Sequence, residues 1–128
     1  MKKIFLFYLL ISTAACSQKK AEADSEIFLR GKPLAELSDS RLLEPSGLAA
    51  SANNPRLLWR HNDSGNPAEV FLVDQKLSIR LICKLKGVRN RDWEDVAVGP
   101  GPEPGKNYVY IAEIGDNFAM FPYKNIYR

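Results

Sequence analysis

Cysteine and histidine are scarce in this chain, with two of the first and one of the second among 128 residues. Two cysteines cannot build the bridged framework of a small secreted scaffold, and no Cys/His spacing suited to zinc is present. Long apolar runs are also missing. The longest, Ile4 to Ile11, falls well short of the roughly 20 residues that a membrane-spanning helix needs. Nor does one sign of charge dominate: 18 Lys and Arg stand against 15 Asp and Glu, a net of +3. Setting aside Lys2 and Lys3 leaves 16 − 15 = +1, which gives no reason to expect nucleic acid as a partner. There is no Gly-x-Ser-x-Gly elbow and no phosphate-cradling glycine loop; the segment Pro100 to Gly105 is rich in Gly and Pro but has the spacing of a plain loop.

What the sequence does contain begins with a leader. Lys2 and Lys3 supply a positive start, Ile4 to Ile11 an apolar stretch, and Ser12 to Ala15 small residues, which together form a secretory signal. Cys16 follows at once, so Thr13-Ala14-Ala15-Cys16 resembles the lipobox of bacterial lipoproteins, although Thr13 stands where an aliphatic residue is usual. The resemblance implies lipidation of Cys16, export, and a membrane anchor in the bacterial envelope, with the outer membrane the expected location. Residues 1–16 are therefore expected to be the signal and residues 17–40 a polar tether, since Ser17 to Glu26 offers five charged side chains and little to bury.

From residue 41 onward the hydrophobic period is two, in short segments bounded by Gly, Pro, Asn and Asp. Strands are predicted near Gly47 to Ser51, Arg56 to Arg60, Ala68 to Asp74, Ile79 to Lys86, Asp95 to Val98, Asn107 to Glu113 and Lys124 to Arg128. Cys83 falls in the alternating run Ile79 to Lys86, on one face with Ile79, Leu81 and Leu85, and reads as a small buried hydrophobe.

The pattern occurs twice. Glu44-Pro45-Ser46-Gly47-Leu48-Ala49 matches Glu94-Asp95-Val96-Ala97-Val98-Gly99 at an offset of 94 − 44 = 50, and Leu57 to Asn62 matches Tyr108 to Glu113 at 108 − 57 = 51. Repeats of this length with about four short strands each are the signature of propeller blades, though two hairpins of a β-sandwich could give the same pattern. The expected fold is all-β: a partial β-propeller over residues 41–128, with repeat one at 44–93 and an incomplete repeat two at 94–128, about 1.7 blades in all. Because Asn125 to Arg128 matches the third strand of repeat one, the chain is expected to be the N-terminal fragment of a longer propeller.

Four segments in order carry a resemblance: Glu44-Pro45-Ser46-Gly47-Leu48-Ala49, Leu58-Trp59-Arg60-His61-Asn62-Asp63-Ser64-Gly65, Asp92-Trp93-Glu94-Asp95-Val96-Ala97 and Tyr110-Ile111-Ala112-Glu113-Ile114-Gly115-Asp116-Asn117. They resemble a family of bacterial secreted, six-bladed TolB-like propellers, mostly uncharacterised, with one departure at Glu113, where that family has Asp. More distantly, the acids that open inner strands are similar to those of the gluconolactonase, paraoxonase and strictosidine synthase group of propeller hydrolases. That resemblance implies a calcium or other divalent ion held by Glu44, Asn62, Glu94 and Glu113. His61, the sole histidine, is the candidate general base.

The bland readings stand beside these. Asn62 to Gly65 and Gly115 to Asn117 are turn sequences, so Asp63 and Asp116 are assigned to turns. Trp59, Phe71, Trp93, Tyr108 and Tyr110 are assigned to packing. Two functions remain on these residues: an envelope propeller that binds a ligand or partner across its mouth, or a divalent-metal-dependent esterase, lactonase or phosphoesterase.

Overall fold

The structure is a computed structural model that describes residues 30–128; the signal segment, Cys16 and the first part of the expected tether lie outside the described residues. Nearly all of the described chain forms one unit, Lys32–Arg128. It is all-β, and no helix long and apolar enough to cross a membrane occurs among the described residues.

Seven strands follow one another: β1 (Pro45–Ala50), β2 (Leu57–Asn62), β3 (Glu69–Asp74), β4 (Ile79–Lys84), β5 (Trp93–Pro100), β6 (Asn107–Glu113) and β7 (Asn125–Tyr127). Each predicted strand is present within a few residues. They pair only with sequence neighbours, all antiparallel, in a four-stranded sheet β1-β2-β3-β4 and a three-stranded sheet β5-β6-β7. Short connections joining antiparallel neighbours produce this up-and-down order without any crossover.

The two sheets share one apolar core. Val70, Trp93 and Ile111 are buried there, with Trp59, Cys83, Leu85, Val88, Val109 and Tyr127 packed around them. The opposite face of the first sheet carries a second cluster, in which Leu42 covers Phe71 and Val73 beside Leu58, Leu77, Ile79 and Ile82. Cys83 is a free thiol that packs as the small hydrophobe expected of it. Ile79 does not share its face, because a bulge lies opposite the Leu72–Val73 step: Leu72 pairs with Leu81 while Val73 pairs with Ile79, so Arg80 is the extra residue. One inserted residue reverses the side-chain phase, which strict alternation could not anticipate.

A bulge also interrupts the first hairpin of each sheet. Ser46 pairs with His61 and Leu48 with Arg60, leaving Gly47 unpaired; Trp93 pairs with Glu113 and Asp95 with Ala112, leaving Glu94 unpaired. Counted from the bulges, Gly47 corresponds to Glu94 and His61 to Glu113. The span from bulge to the partner of the preceding residue is 61 − 47 = 14 in the first sheet and 113 − 94 = 19 in the second. The repeat is therefore real as a hairpin with one bulge, but its offset is 94 − 47 = 47 on the first strand and 113 − 61 = 52 on the second. The sequence offsets of 50 and 51 averaged over longer strands in the second hairpin.

Gly47 sits where the sheets come closest. Its φ is +59°, in the left-handed region that glycine tolerates and other residues avoid. A Cβ there would lie 2.7 Å from His61 Nε2 and 2.8 Å from the backbone nitrogen of Val96 in β5. Ser46 Oγ donates to the Glu94 carbonyl at 3.0 Å across the same junction. Behind it, His61 meets Trp93 edge to face, with ring centroids 5.6 Å apart, and both side chains are fully buried. Gly47→Ala adds a left-handed penalty of about 1–2 kcal/mol to an overlap with backbone costing about 1–3 kcal/mol. In urea melts followed by tryptophan fluorescence it should lose about 2–5 kcal/mol. Gly65→Ala, at φ +77° but with nothing near its Cβ position, should lose only about 1–2 kcal/mol. Equal losses in the two variants would show that the β1–β5 approach is not tight.

Candidate functional site

Antiparallel pairing gathers one set of connections at one end: the entry to β1, the exit of β2, the entry to β5 and the exit of β6. All the site residues expected from sequence, Glu44, His61, Asn62, Glu94 and Glu113, lie at that end, but in different settings.

Glu113 is 2% exposed and saturated with donors. Its carboxylate accepts from Asn125 Nδ2 at 2.7 Å, Tyr127 Oη at 2.9 Å and the Arg91 backbone N–H at 3.2 Å, and the Arg91 guanidinium stands 3.6 Å away. Burial alone would raise its pKa, but these donors together outweigh burial and hold the group below the usual carboxylate range. Arg91 in turn lies 4.0 Å over the ring of Phe121 and donates to the Tyr123 carbonyl at 3.3 Å, which fastens the β6–β7 connection. Glu113 is thus a structural hub, with its oxygens taken by the protein.

The other expected ligands divide similarly. Glu44 is exposed; its carboxylate accepts from Asn66 Nδ2 at 3.2 Å and its carbonyl accepts the Asp63 N–H at 2.8 Å, so it braces the loop after β2. Asn62 is buried and donates through Nδ2 to the Arg41 carbonyl at 2.7 Å, while its Oδ1 has no donor among the described residues. His61 is 0% exposed; Nδ1 lies 2.9 Å from the Asn62 carbonyl, so it carries the proton, and Nε2 faces Gly47 without a partner among the described residues. A base must reach its substrate, and His61 is enclosed. Asp116 confirms its turn assignment by accepting from the Met120 and Phe121 N–H groups and from Lys124 Nζ at 3.1 Å. Burial opposes and these donors more than offset it, leaving its pKa lowered.

Only Glu94 joins a carboxylate group. Asp63, Asp92 and Glu94 bring one oxygen each to within 4.8 Å of one another. Asn90 holds the backbone that presents them: its Nδ2 donates to the carbonyls of Asn62 at 3.0 Å and Asp63 at 2.8 Å, and its Oδ1 accepts the Trp93 N–H at 3.2 Å. Gly115 completes the floor, donating its N–H to the Asp92 carbonyl at 3.2 Å; a Cβ at 115 would collide with the carboxylates of both Asp92 and Glu94. Sequence reasoning passed over Asp92, although Asp92-Trp93-Glu94 places two acids two apart on one strand face, and it assigned Asp63 to its turn. That turn role is real, since Asp63 Oδ1 accepts the Ser64 N–H at 2.6 Å, but it leaves the carboxylate within the group.

Beside this group a cleft of about 680 Å³ opens between the Gly87–Arg91 segment and the β6–β7 connection, with Arg89, Arg91, Phe121, Tyr123 and Tyr127 on its walls. Comparison with protein-family models, with curated proteins and with solved structures found no match.

The Glu113 hub makes stability depend on pH at both extremes. A carboxylate whose folded pKa is depressed contributes fully above its unfolded value near 4.3 and loses that contribution as pH falls through the folded one. Burial first, and then the Glu113 carboxylate, raise the Tyr127 pKa, so the phenol's contribution is complete below about 10 and is lost as pH rises through its folded pKa. Glu113→Gln should cost about 2–4 kcal/mol at pH 7 and flatten the acid limb of the stability profile. Tyr127→Phe should flatten the alkaline limb. Both limbs unchanged in urea titrations across pH would remove the hub from this role.

Proposed function

We propose that this chain is an exported, lipid-anchored protein of the bacterial envelope whose β-domain is part of a propeller and acts as a binding scaffold. Its ligand or partner is taken at the end where the loops gather. The observation that supports this best is the arrangement of the two sheets. Each is an up-and-down meander opening with a bulged hairpin, they pack face to face, and their first strands approach most closely, at Gly47 and Val96. Neighbouring blades around a common axis have this geometry, and loops at one end of such an axis are the usual place for a ligand.

The cleft at that end suits a binder. Arg89 is exposed, and Tyr123 is 61% exposed, so a cation and an aromatic face are both available to a ligand. The hydrolase reading draws its support from the acidic group, and the enclosure of His61, the sole histidine of the chain, weighs against it, because a general base must reach its substrate.

Two measurements test the proposal. Cys16→Ser should abolish labelling by radioactive palmitate and move the protein from the membrane to the soluble fraction; labelling that survives the substitution would exclude the anchor. A thermal-shift screen of carbohydrates, peptides and organic acids, run in parallel with ester, lactone and phosphoester turnover assays, addresses the cleft. A ligand whose affinity falls about tenfold, or about 1.4 kcal/mol, in Arg89→Ala supports the scaffold. Turnover by the purified chain with no such ligand would favour the hydrolase.

A further inference from the structure

The end of the strands opposite the carboxylates carries the β1–β2 loop and the β3–β4 turn. Two adjoining depressions open there, of about 720 and 350 Å³, with Arg56 and Gln75 on the walls of both. Lys32, Leu34, Leu48 and Leu77 line the larger, and Lys76 and Arg80 the smaller. Leu34 is 96% exposed and Leu48 59%, so apolar surface stands uncovered beside the cations. The only acid on either wall is Asp74, and it is fully used: Oδ2 accepts from Arg80 Nε at 3.0 Å and Nη2 at 2.6 Å, while Oδ1 accepts the Lys76 and Ser78 N–H groups at 2.8 and 3.0 Å. Lys32, Arg56 and Lys76 are left in no ion pair among the described residues. Arg56 also carries a conformational cost, because its φ is +66°, a setting that costs a side chain about 1–2 kcal/mol and that glycine tolerates. Leu77, at φ +62°, offsets the same cost by packing on the Phe71 and Val73 cluster. Arg56 is exposed and has no such compensation, so its side chain points to a use outside the fold.

We infer that this end docks on an anionic phospholipid bilayer. Uncompensated Lys and Arg side chains attract acidic headgroups, and exposed leucines enter the boundary between headgroups and acyl chains. The choice of occupant rests on the reading of Cys16 as a lipid anchor. The described unit begins at Lys32, on the wall of the larger depression, 32 − 16 = 16 positions from that cysteine, a distance of at most about 58 Å at full extension. An anchor joined to the domain at this wall presents this end to the bilayer first. Docking here leaves the cleft and the carboxylates, at the opposite end, facing away from the lipid and open to a ligand. Three cations and two leucines bind weakly and reversibly by themselves, so the surface orients the anchored domain, and Cys16→Ser still releases it on fractionation.

The experiment is equilibrium binding of the purified, leader-free Cys16→Ser chain to unilamellar vesicles at low salt, made of phosphatidylcholine alone or mixed with phosphatidylglycerol. Binding to the mixed vesicles is expected, lost at high salt and absent on phosphatidylcholine. Arg56→Gln and Lys76→Gln should each weaken it about fivefold, and Leu34→Ser at least about threefold. Lys86→Gln, beyond the far end of β4, should leave it unchanged. Arg56→Gly separates membrane contact from a structural role: it removes the left-handed penalty, so it should melt no lower than the parent while binding falls as in Arg56→Gln. The surface is overturned by absence of binding to the mixed vesicles, by equal binding to both kinds, by unchanged affinity in both glutamine variants, or by a loss in Lys86→Gln as large as theirs. Capture of polyglutamate without vesicle binding would make the partner an acidic protein and overturn the bilayer assignment. Palmitate labelling reports on the anchor independently: a labelled chain that ignores vesicles overturns this surface and leaves the anchor, and an unlabelled chain that binds them does the reverse.

Discussion

The β-domain depends on how closely β1 can approach β5. Glycine at 47 lets the bulged strand turn through a left-handed conformation and lie against the β5 backbone, and the space behind it is filled by the His61 and Trp93 rings. A bulge increases local twist, so the same residue that admits close contact also splays the two sheets apart away from the junction. The wedge that results is filled by Val70, Ile111, Cys83, Leu85 and Val88. Losing the junction would expose Trp93, whose truncation in a core costs about 3–5 kcal/mol, a large share of the 5–15 kcal/mol that a domain has in total.

That junction also decides which side chains meet at the loop end. Because Trp93 is pinned in the core, its neighbours Asp92 and Glu94 emerge together on the other side of the strand, and Asn90, bonded to Trp93 N–H, ties the exit of β2 to them. The end is consequently partitioned into two electrostatic territories. Around Glu113 every oxygen has a donor and Arg91 balances the charge, giving a rigid, neutral hub. Around Asp92 the protein gathers the carboxylates of Asp63, Asp92 and Glu94, and the cations Arg91 and Lys124 face other acids.

The strands and their up-and-down order were legible because period-two alternation and Gly, Pro, Asn and Asp boundaries report directly on pleated, half-buried segments. Phase was harder. Three bulges, at Gly47, Arg80 and Glu94, each add one residue, and nothing in the alternation marks Arg80 or Glu94 as unpaired; this is why Ile79 was assigned to the wrong face, while the longer strands of the second hairpin are why the repeat offset was read as 50 and 51. At the candidate site, Glu44, Asn62 and Glu113 lie at the same end of the strands, but whether a carboxylate is occupied depends on donors distant in sequence. Glu113 takes its donors from Asn125 and Tyr127, which no local pattern links to it. Asp92 was legible in principle, since Asp-x-Glu on a strand puts two acids on one face. The reading of Asp63 as a turn residue was accurate and incomplete, because a short side chain can bond its own loop through one oxygen and offer the other.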